Sequence, residues 1–225
     1  MKRIAGVAAL LSLVAAACGQ AGVLDGIGDR AESFVQGEVT TTSLVVPVAA
    51  GTGDEGVIGA DNVLWFNDDI REQAVGTPED VVREVWSRKL NSRFIQSSRT
   101  EIARALPALR FPSKVPSDVR WVTSQLVFEA ETGTLDVETA AAFGLWTADP
   151  YQSDTSRLGV LRVGQAPVDV GSERSDIVPL LVPDGISLGW TESGHRYELF
   201  CRSTISTELC TDVAMSAELL SDLLP

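Results

Sequence analysis

The spacing of apolar residues changes along the chain and separates helical segments from strands. Between residues 78 and 90, apolar side chains recur every three or four positions, as on one face of an α-helix. Thr77 and Pro78 suit the N-cap and the first position of that helix. A second helix is predicted from the capping box at residues 98–101 up to Pro107.

From residue 119 the period becomes two, which is typical of strands with one buried face. Residues 139–147 form either a strand or, over 136–143, a helix, and residues 165–184 are predicted as a loop. The other predicted elements are strands at 63–66, 119–128 and 158–163, a hairpin of 186–190 with 196–201, and a helix over 213–224. The pattern predicts an α+β fold: an antiparallel sheet of about five or six strands packed by two N-terminal helices and one C-terminal helix.

The segment before this domain has a different composition. Residues 18–56 are rich in Gly, Thr, Ala and Val, which indicates a flexible tether that leads into a single domain over 57–225. A chain of this length spans roughly 35 Å by the square-root rule. Residues 51–56 match G-x-G-x-x-G, but Pro47 interrupts the strand that a dinucleotide site would need, so we interpret the match as accidental.

The first twenty residues have the order of an export signal. Lys2 and Arg3 precede an apolar run over residues 4–14, and small residues lead to Cys18. The run is shorter than the roughly 20 residues that a membrane-spanning helix needs. An uncleaved N-terminal anchor, or a signal cut elsewhere, is the alternative.

The Cys that follows Ala15–Ala17 resembles the lipobox of prokaryotic membrane lipoproteins. That resemblance implies a signal peptide over 1–17, cleavage before Cys18, and a diacylglycerol with palmitate-type chains on its sulfur. The protein is then expected at the cell membrane, lipid-anchored and facing outside the cytoplasm.

A second resemblance lies at the C-terminal end. The hairpin W-x-x-x-G-x-x-Y-x-L, which starts at Trp190, is followed by S-x-x-L-L from Ser216. This unit is similar to the end of sheet-plus-helix domains in bacterial lipoproteins and anti-sigma factors. Trp190 is expected to be buried and structural.

Three cysteines are present, and lipidation would use one of them. Cys201 and Cys210 then form an even pair in an oxidising compartment, and the eight residues between them can fold back, so a disulfide is expected. Two buried thiols, or a redox-active pair, are the alternatives.

The charge of the chain excludes several partners. The formal net charge is −13, from 18 basic and 31 acidic side chains. Without Lys2 and Arg3 it becomes −15, because 16 basic side chains remain. Nucleic acids and anionic headgroups attract clustered Lys and Arg, so no nucleic-acid partner is expected, and membrane attachment is assigned to the lipid on Cys18.

Catalytic motifs are absent from the sequence. His195 is the only histidine, and it lies in the turn of the predicted hairpin, where we interpret it as an exposed turn residue. Neither H-E-x-x-H nor G-x-S-x-G occurs. Asn67, Asp68 and Asp69 are the best candidate ligands for a hard cation, but no calcium-loop pattern surrounds them.

We therefore expect no catalytic residues, cofactor or metal, and a function other than an enzyme's. The leading hypothesis is a non-enzymatic binding or interaction module. The second hypothesis is a carrier or sensor of an apolar ligand held between sheet and helix, and the third is a hydrolase that uses carboxylates alone.

Overall fold

The computed structural model describes residues 56–68, 75–88, 92–151 and 154–225. The predicted signal segment, Cys18 and the predicted tether up to residue 55 lie outside the described residues. The lipid anchor therefore stays a prediction.

Three helices occur in the described part of the chain: α1 (Pro78–Ser87), α2 (Arg99–Ala105) and α3 (Thr207–Met215). The Thr77 side chain accepts a hydrogen bond from the Asp80 backbone, and Asp80 caps Thr77 in return. Ser98 and Glu101 form the same reciprocal box at α2. The predicted starts of both N-terminal helices are confirmed.

Twelve strands are present in the described ranges. They are β1 (Val57–Gly59), β2 (Leu64–Trp65), β3 (Phe94–Gln96), β4 (Arg110–Pro112), β5 (Lys114–Pro116), β6 (Trp121–Val127), β7 (Ala141–Trp146), β8 (Arg157–Gln165), β9 (Val178–Val182), β10 (Gly185–Glu192), β11 (His195–Arg202) and β12 (Ala217–Leu219). The main sheet has the order β2-β6-β7-β8-β11-β10-β9, and β3 also pairs with β6. β1 pairs with β5, and β4 pairs with β12, in two small separate sheets.

The α+β class is confirmed, but the predicted sheet is too small and too regular. The main sheet has eight strands instead of five or six, and β2 runs parallel to β6. The strand β9 lies inside the predicted loop 165–184, where Pro179 and Pro183 suggested irregular structure. Proline is tolerated on an edge strand, because its nitrogen can face solvent.

The C-terminal helix was predicted in the wrong place. α3 begins after Ser206, whose side chain accepts a hydrogen bond from the Leu209 backbone, and it ends before residue 217. The apolar residues that follow belong to β12, which pairs with β4, and to a short 3-10 turn over Leu220–Leu223. Burial of Leu220 explains the apolar pattern without a longer helix.

The segment 136–143 resolves into a turn and a strand. The Asp136 carboxylate accepts a hydrogen bond from the Glu138 backbone, which stabilises a turn of the kind that Asp favours. β7 then begins at Ala141 and pairs with β6 and β8, as expected for a strand.

The core lies on one face of the main sheet, which we call the inner face. Trp65, Phe111 and Phe143 meet there with ring centroids 4.8 to 6.2 Å apart. Ile102 of α2 and Val213 of α3 are fully buried in the same cluster. Helices and small strands therefore cover the inner face, whereas the opposite face of the sheet carries exposed side chains such as Val178 and Leu180.

Candidate functional site

The register of β9, β10, β11 and β8 sets the side chains of the opposite face, which we call the open face, in rows across the strands. In one row Gly189 lies between Val178 and Glu198, and Glu198 is opposite Arg162. The next row contains Leu180, Ser187, Phe200 and Val160. Neighbouring strands are about 4.8 Å apart, so each row is a short line of adjacent side chains.

A cavity of about 560 Å³ lies over the first row. We call it the groove, and its defining residues are Asp176, Val178, Leu180, Gly189, Thr191 and Arg196. A Cβ placed on Gly189 would meet no atom within 4 Å. The strand therefore leaves the floor of the groove open at Gly189, and the volume of the groove is within the range of ligand sites in proteins.

A second cavity of about 270 Å³ lies beside the groove and includes Arg157, Arg162 and Phe200. Both cavities are lined by Ser187 and Glu198. The Ser187 hydroxyl donates a hydrogen bond of 3.0 Å to Glu198 Oε1. This polar pair separates an apolar groove from a smaller cavity that has two guanidinium groups.

The charge of the open face differs from that of the whole chain. Its described strands carry four arginines and one carboxylate, that of Glu198, and Asp176 adds a second carboxylate where it lines the groove; the arginines are Arg157, Arg162, Arg196 and Arg202. The chain as a whole has 31 acidic and 18 basic side chains. An electropositive strip on an acidic protein favours anionic groups at short range, because salt screens charges more distant than about 8 Å.

One wall of the groove is held by a buried ion cluster, which we call the Glu192 clamp. The Glu192 carboxylate lies 2.8 Å from both Nε and Nη2 of Arg174, and 3.3 Å from Nε of Arg110. Arg174 also donates to the carbonyl of Met215 at 3.0 Å. The clamp fixes the segment before β9, so that Ser175 and Asp176 line the groove.

The apolar wall belongs to β9, the last strand of the main sheet. Val178 and Leu180 are 64% and 63% exposed, and Leu181 on the other side of the strand is 84% exposed. A domain that exposes such a contiguous apolar edge to water often uses it for binding.

A proline limits pairing at that edge. Pro179 is opposite Leu188 in the ladder, and a residue without N–H can only occupy a position that is not hydrogen-bonded to the neighbouring strand. Pro179 and Leu181 therefore turn their backbone nitrogens outward, and Pro179 has no N–H to donate. This arrangement discourages addition of another strand.

Cys201 and Cys210 lie at disulfide distance, as the sequence predicted, with Cα atoms 6.2 Å apart. Cys201 is on β11 and Cys210 is on α3, and both are buried. The pair links the main sheet to the helix that covers its inner face.

His195 begins β11 and is half-buried, so it is less exposed than predicted. Its Nδ1 lies 3.1 Å from the Ser193 carbonyl. Burial lowers the pKa of His195, and the hydrogen bond to Ser193 opposes that shift. We find no nucleophile hydrogen-bonded to its ring in the described residues.

The candidate cation ligands have structural partners. The Asn67 amide donates to the Ser124 carbonyl, and Asp68 accepts from Arg99 Nε at 2.6 Å, while Asp69 lies outside the described residues. Within the described ranges, no three His, Cys, Asp or Glu residues are grouped so that they could hold a metal ion. No helix in those ranges is long and apolar enough to cross a membrane.

Trp190 is buried, as predicted, and stacks on Tyr197 with ring centroids 5.0 Å apart.

The groove itself was not predicted from the sequence. The signals present were Gly189 in the middle of an alternating strand and the run over 178–182, which is apolar, contains Pro179 and is followed by Pro183. A strand glycine often marks a place where a ligand approaches the backbone.

Comparisons with known proteins assign no relative to this chain: no family model, curated protein or solved structure matches it.

Proposed function

We propose that this chain is a lipid-anchored extracytoplasmic protein whose domain is a non-enzymatic binding module. The observation that carries the proposal is the groove on the open face, with exposed apolar side chains on β9 and a floor left open by Gly189. The anchor is proposed from the lipobox resemblance at Cys18. The lipid would hold the module at the membrane, and the open face would meet its partner.

The carrier hypothesis places an apolar ligand between sheet and helix. Ile102, Phe111 and Leu199 occupy that layer and are fully buried, so a ligand there would have to displace packed side chains. The open face offers space without such displacement. This difference favours a binding module over a carrier of that kind.

A hydrolase that uses carboxylates needs two free acidic groups facing one cleft. The two most buried carboxylates described are instead paired with arginine: Glu192 in the clamp, and Glu101 with Arg88 at 2.7 Å. Their pairing supports a structural role for both.

Site-specific photocrosslinking in a bacterial host tests the proposal. The photoreactive residue replaces Val178 on the open face or Met215 on α3, which have similar exposures of 64% and 57%. We expect adducts from position 178 in intact cells and few from position 215. Equal yields from the two positions would contradict an open-face binding site.

A further inference from the structure

We infer that the groove binds an acidic segment of a partner polypeptide, with an apolar side chain over Gly189 and a carboxylate on Arg162. The inference rests on the proposed function and adds the chemistry of the partner. It follows from the space over the floor of the groove, from the charge of the open face and from the spacing of the two positions.

The apolar part of the inference comes from Gly189. Val178 lies opposite Gly189 in the same row, and Leu180 lies two residues further along the same neighbouring strand. Both side chains are exposed. A side chain from a partner would fill the space over Gly189 and cover both, removing apolar surface from water. The strand's other face stays in the core through Leu188 and Trp190, so occupation of the groove requires no repacking.

The acidic part comes from Arg162. Its Nη1 lies 3.9 Å from Glu198 Oε2, which is too long for a hydrogen bond, and its side chain is 59% exposed. Glu198 accepts a hydrogen bond from Ser187. A partner carboxylate can pair with the planar guanidinium of Arg162, and the neighbouring Arg157 increases the local positive potential.

The spacing of the two positions suits an extended polypeptide. Gly189 and Arg162 lie in one row and are separated by the single strand β11. Two strand spacings are about 10 Å, which is close to the length of three residues of a polyproline-II-like extended chain, whose side chains return to the same side every third residue. Because Pro179 removes a hydrogen-bond donor from the edge of β9, the open face is the better docking surface on this side of the sheet.

A library of random short peptides displayed on phage provides the probe, with the full chain purified in detergent as the target. We expect enriched peptides to carry an apolar residue and an acidic residue about three positions apart. Gly189→Leu should weaken the best peptide at least about tenfold, because a filled floor excludes its apolar side chain. The backbone of Gly189 is outside the left-handed region, so the variant should fold.

Matched variants separate loss of the site from loss of the fold. Gly171→Leu is the control for the glycine, since a Cβ there also meets nothing within 4 Å and Gly171 does not line the groove. Arg162→Glu should weaken the peptide at least about tenfold, whereas Arg83→Glu on α1, 75% exposed, should leave it unchanged. Urea unfolding curves establish that all four variants are folded.

Three results would overturn the inference: no enriched peptide, an enriched basic motif, or a peptide whose affinity survives Gly189→Leu. Each of these can occur while position 178 still crosslinks in cells. In that case the open face binds a partner of different chemistry, and the proposed function stands. Loss of crosslinking at position 178 would contradict the proposed function itself.

Discussion

The Glu192 clamp offers the sharpest test of how the groove is held together, through the substitution Glu192→Gln. The variant keeps the shape of the side chain and removes its charge. Arg110 and Arg174 would then lie in a mostly buried cluster without their shared carboxylate. Removing one partner of a buried ion pair costs about 3–5 kcal/mol, because the remaining charge stays desolvated.

The expected loss is at the lower end of that range. Arg174 keeps its hydrogen bonds to the carbonyls of Met215 and Ala217, and the Gln amide oxygen can still accept one from Arg174. We therefore expect the free energy of unfolding to fall by about 3 kcal/mol. Urea unfolding followed by circular dichroism measures this difference, with extrapolation to zero denaturant.

Glu198→Gln is the matched control, on the strand next to β10. The Glu198 side chain is 52% exposed, against 10% for Glu192, and its arginine partner is 3.9 Å away. An exposed ion pair contributes about 0–1 kcal/mol, so the control should unfold almost like the wild type. Similar losses in both variants, or a loss below about 1 kcal/mol for Glu192→Gln, would refute the structural role of the clamp.

Three further predictions concern the core and the anchor. Trp190→Ala should lower the free energy of unfolding, measured in urea, by about 3–5 kcal/mol. Trp190→Phe should lower it less, because Phe keeps an aromatic ring and Trp190 Nε1 has no hydrogen-bond partner in the described structure. Equal losses of unfolding free energy in the two variants would contradict this packing. Burial raises the pKa of Tyr197 to about 12, so the unfolded chain loses this proton first and stability should fall as the pH rises from 10 towards about 12. Absorbance of ionised tyrosine in a Tyr151→Phe background follows that single group, and ionisation at the ordinary pH of a tyrosine would show that it is not buried. Cys18→Ala should move the exported protein from the membrane fraction to the soluble or precursor form, and unchanged fractionation and migration would contradict lipidation.

Local sequence signals predicted the parts of the fold that local chemistry determines. Thr77 and Ser98 cap their helices by hydrogen bonds to residues three positions later in the chain. The hairpin of β10 and β11 follows from the alternation of apolar and polar residues on both sides of a polar turn. The pairing of Cys201 with Cys210 could also be predicted, because the even number of remaining cysteines and their short separation restrict the possible pairings.

Elements that depend on contacts between distant residues could not be predicted from local sequence patterns. The strand β9 contains Pro179, and only its edge position in the sheet makes that proline compatible with a strand. The prediction of a helix over 213–224 was wrong because β12 pairs with β4, more than 100 residues earlier in the chain. The groove depends on the register of four strands and on Arg174 reaching Glu192, so Gly189 alone could not reveal it.

Hydroxyl-radical footprinting of the same protein in intact cells and after purification tests the central claim most directly. If the open face binds a partner at the cell envelope, Leu180 and Phe200 should oxidise more slowly in cells than in the purified protein. Met215 on α3 is exposed and serves as the internal reference. Oxidation of Leu180 and Phe200 at unchanged relative rates, or protection confined to Met215, would contradict the assignment of the open face as the binding surface.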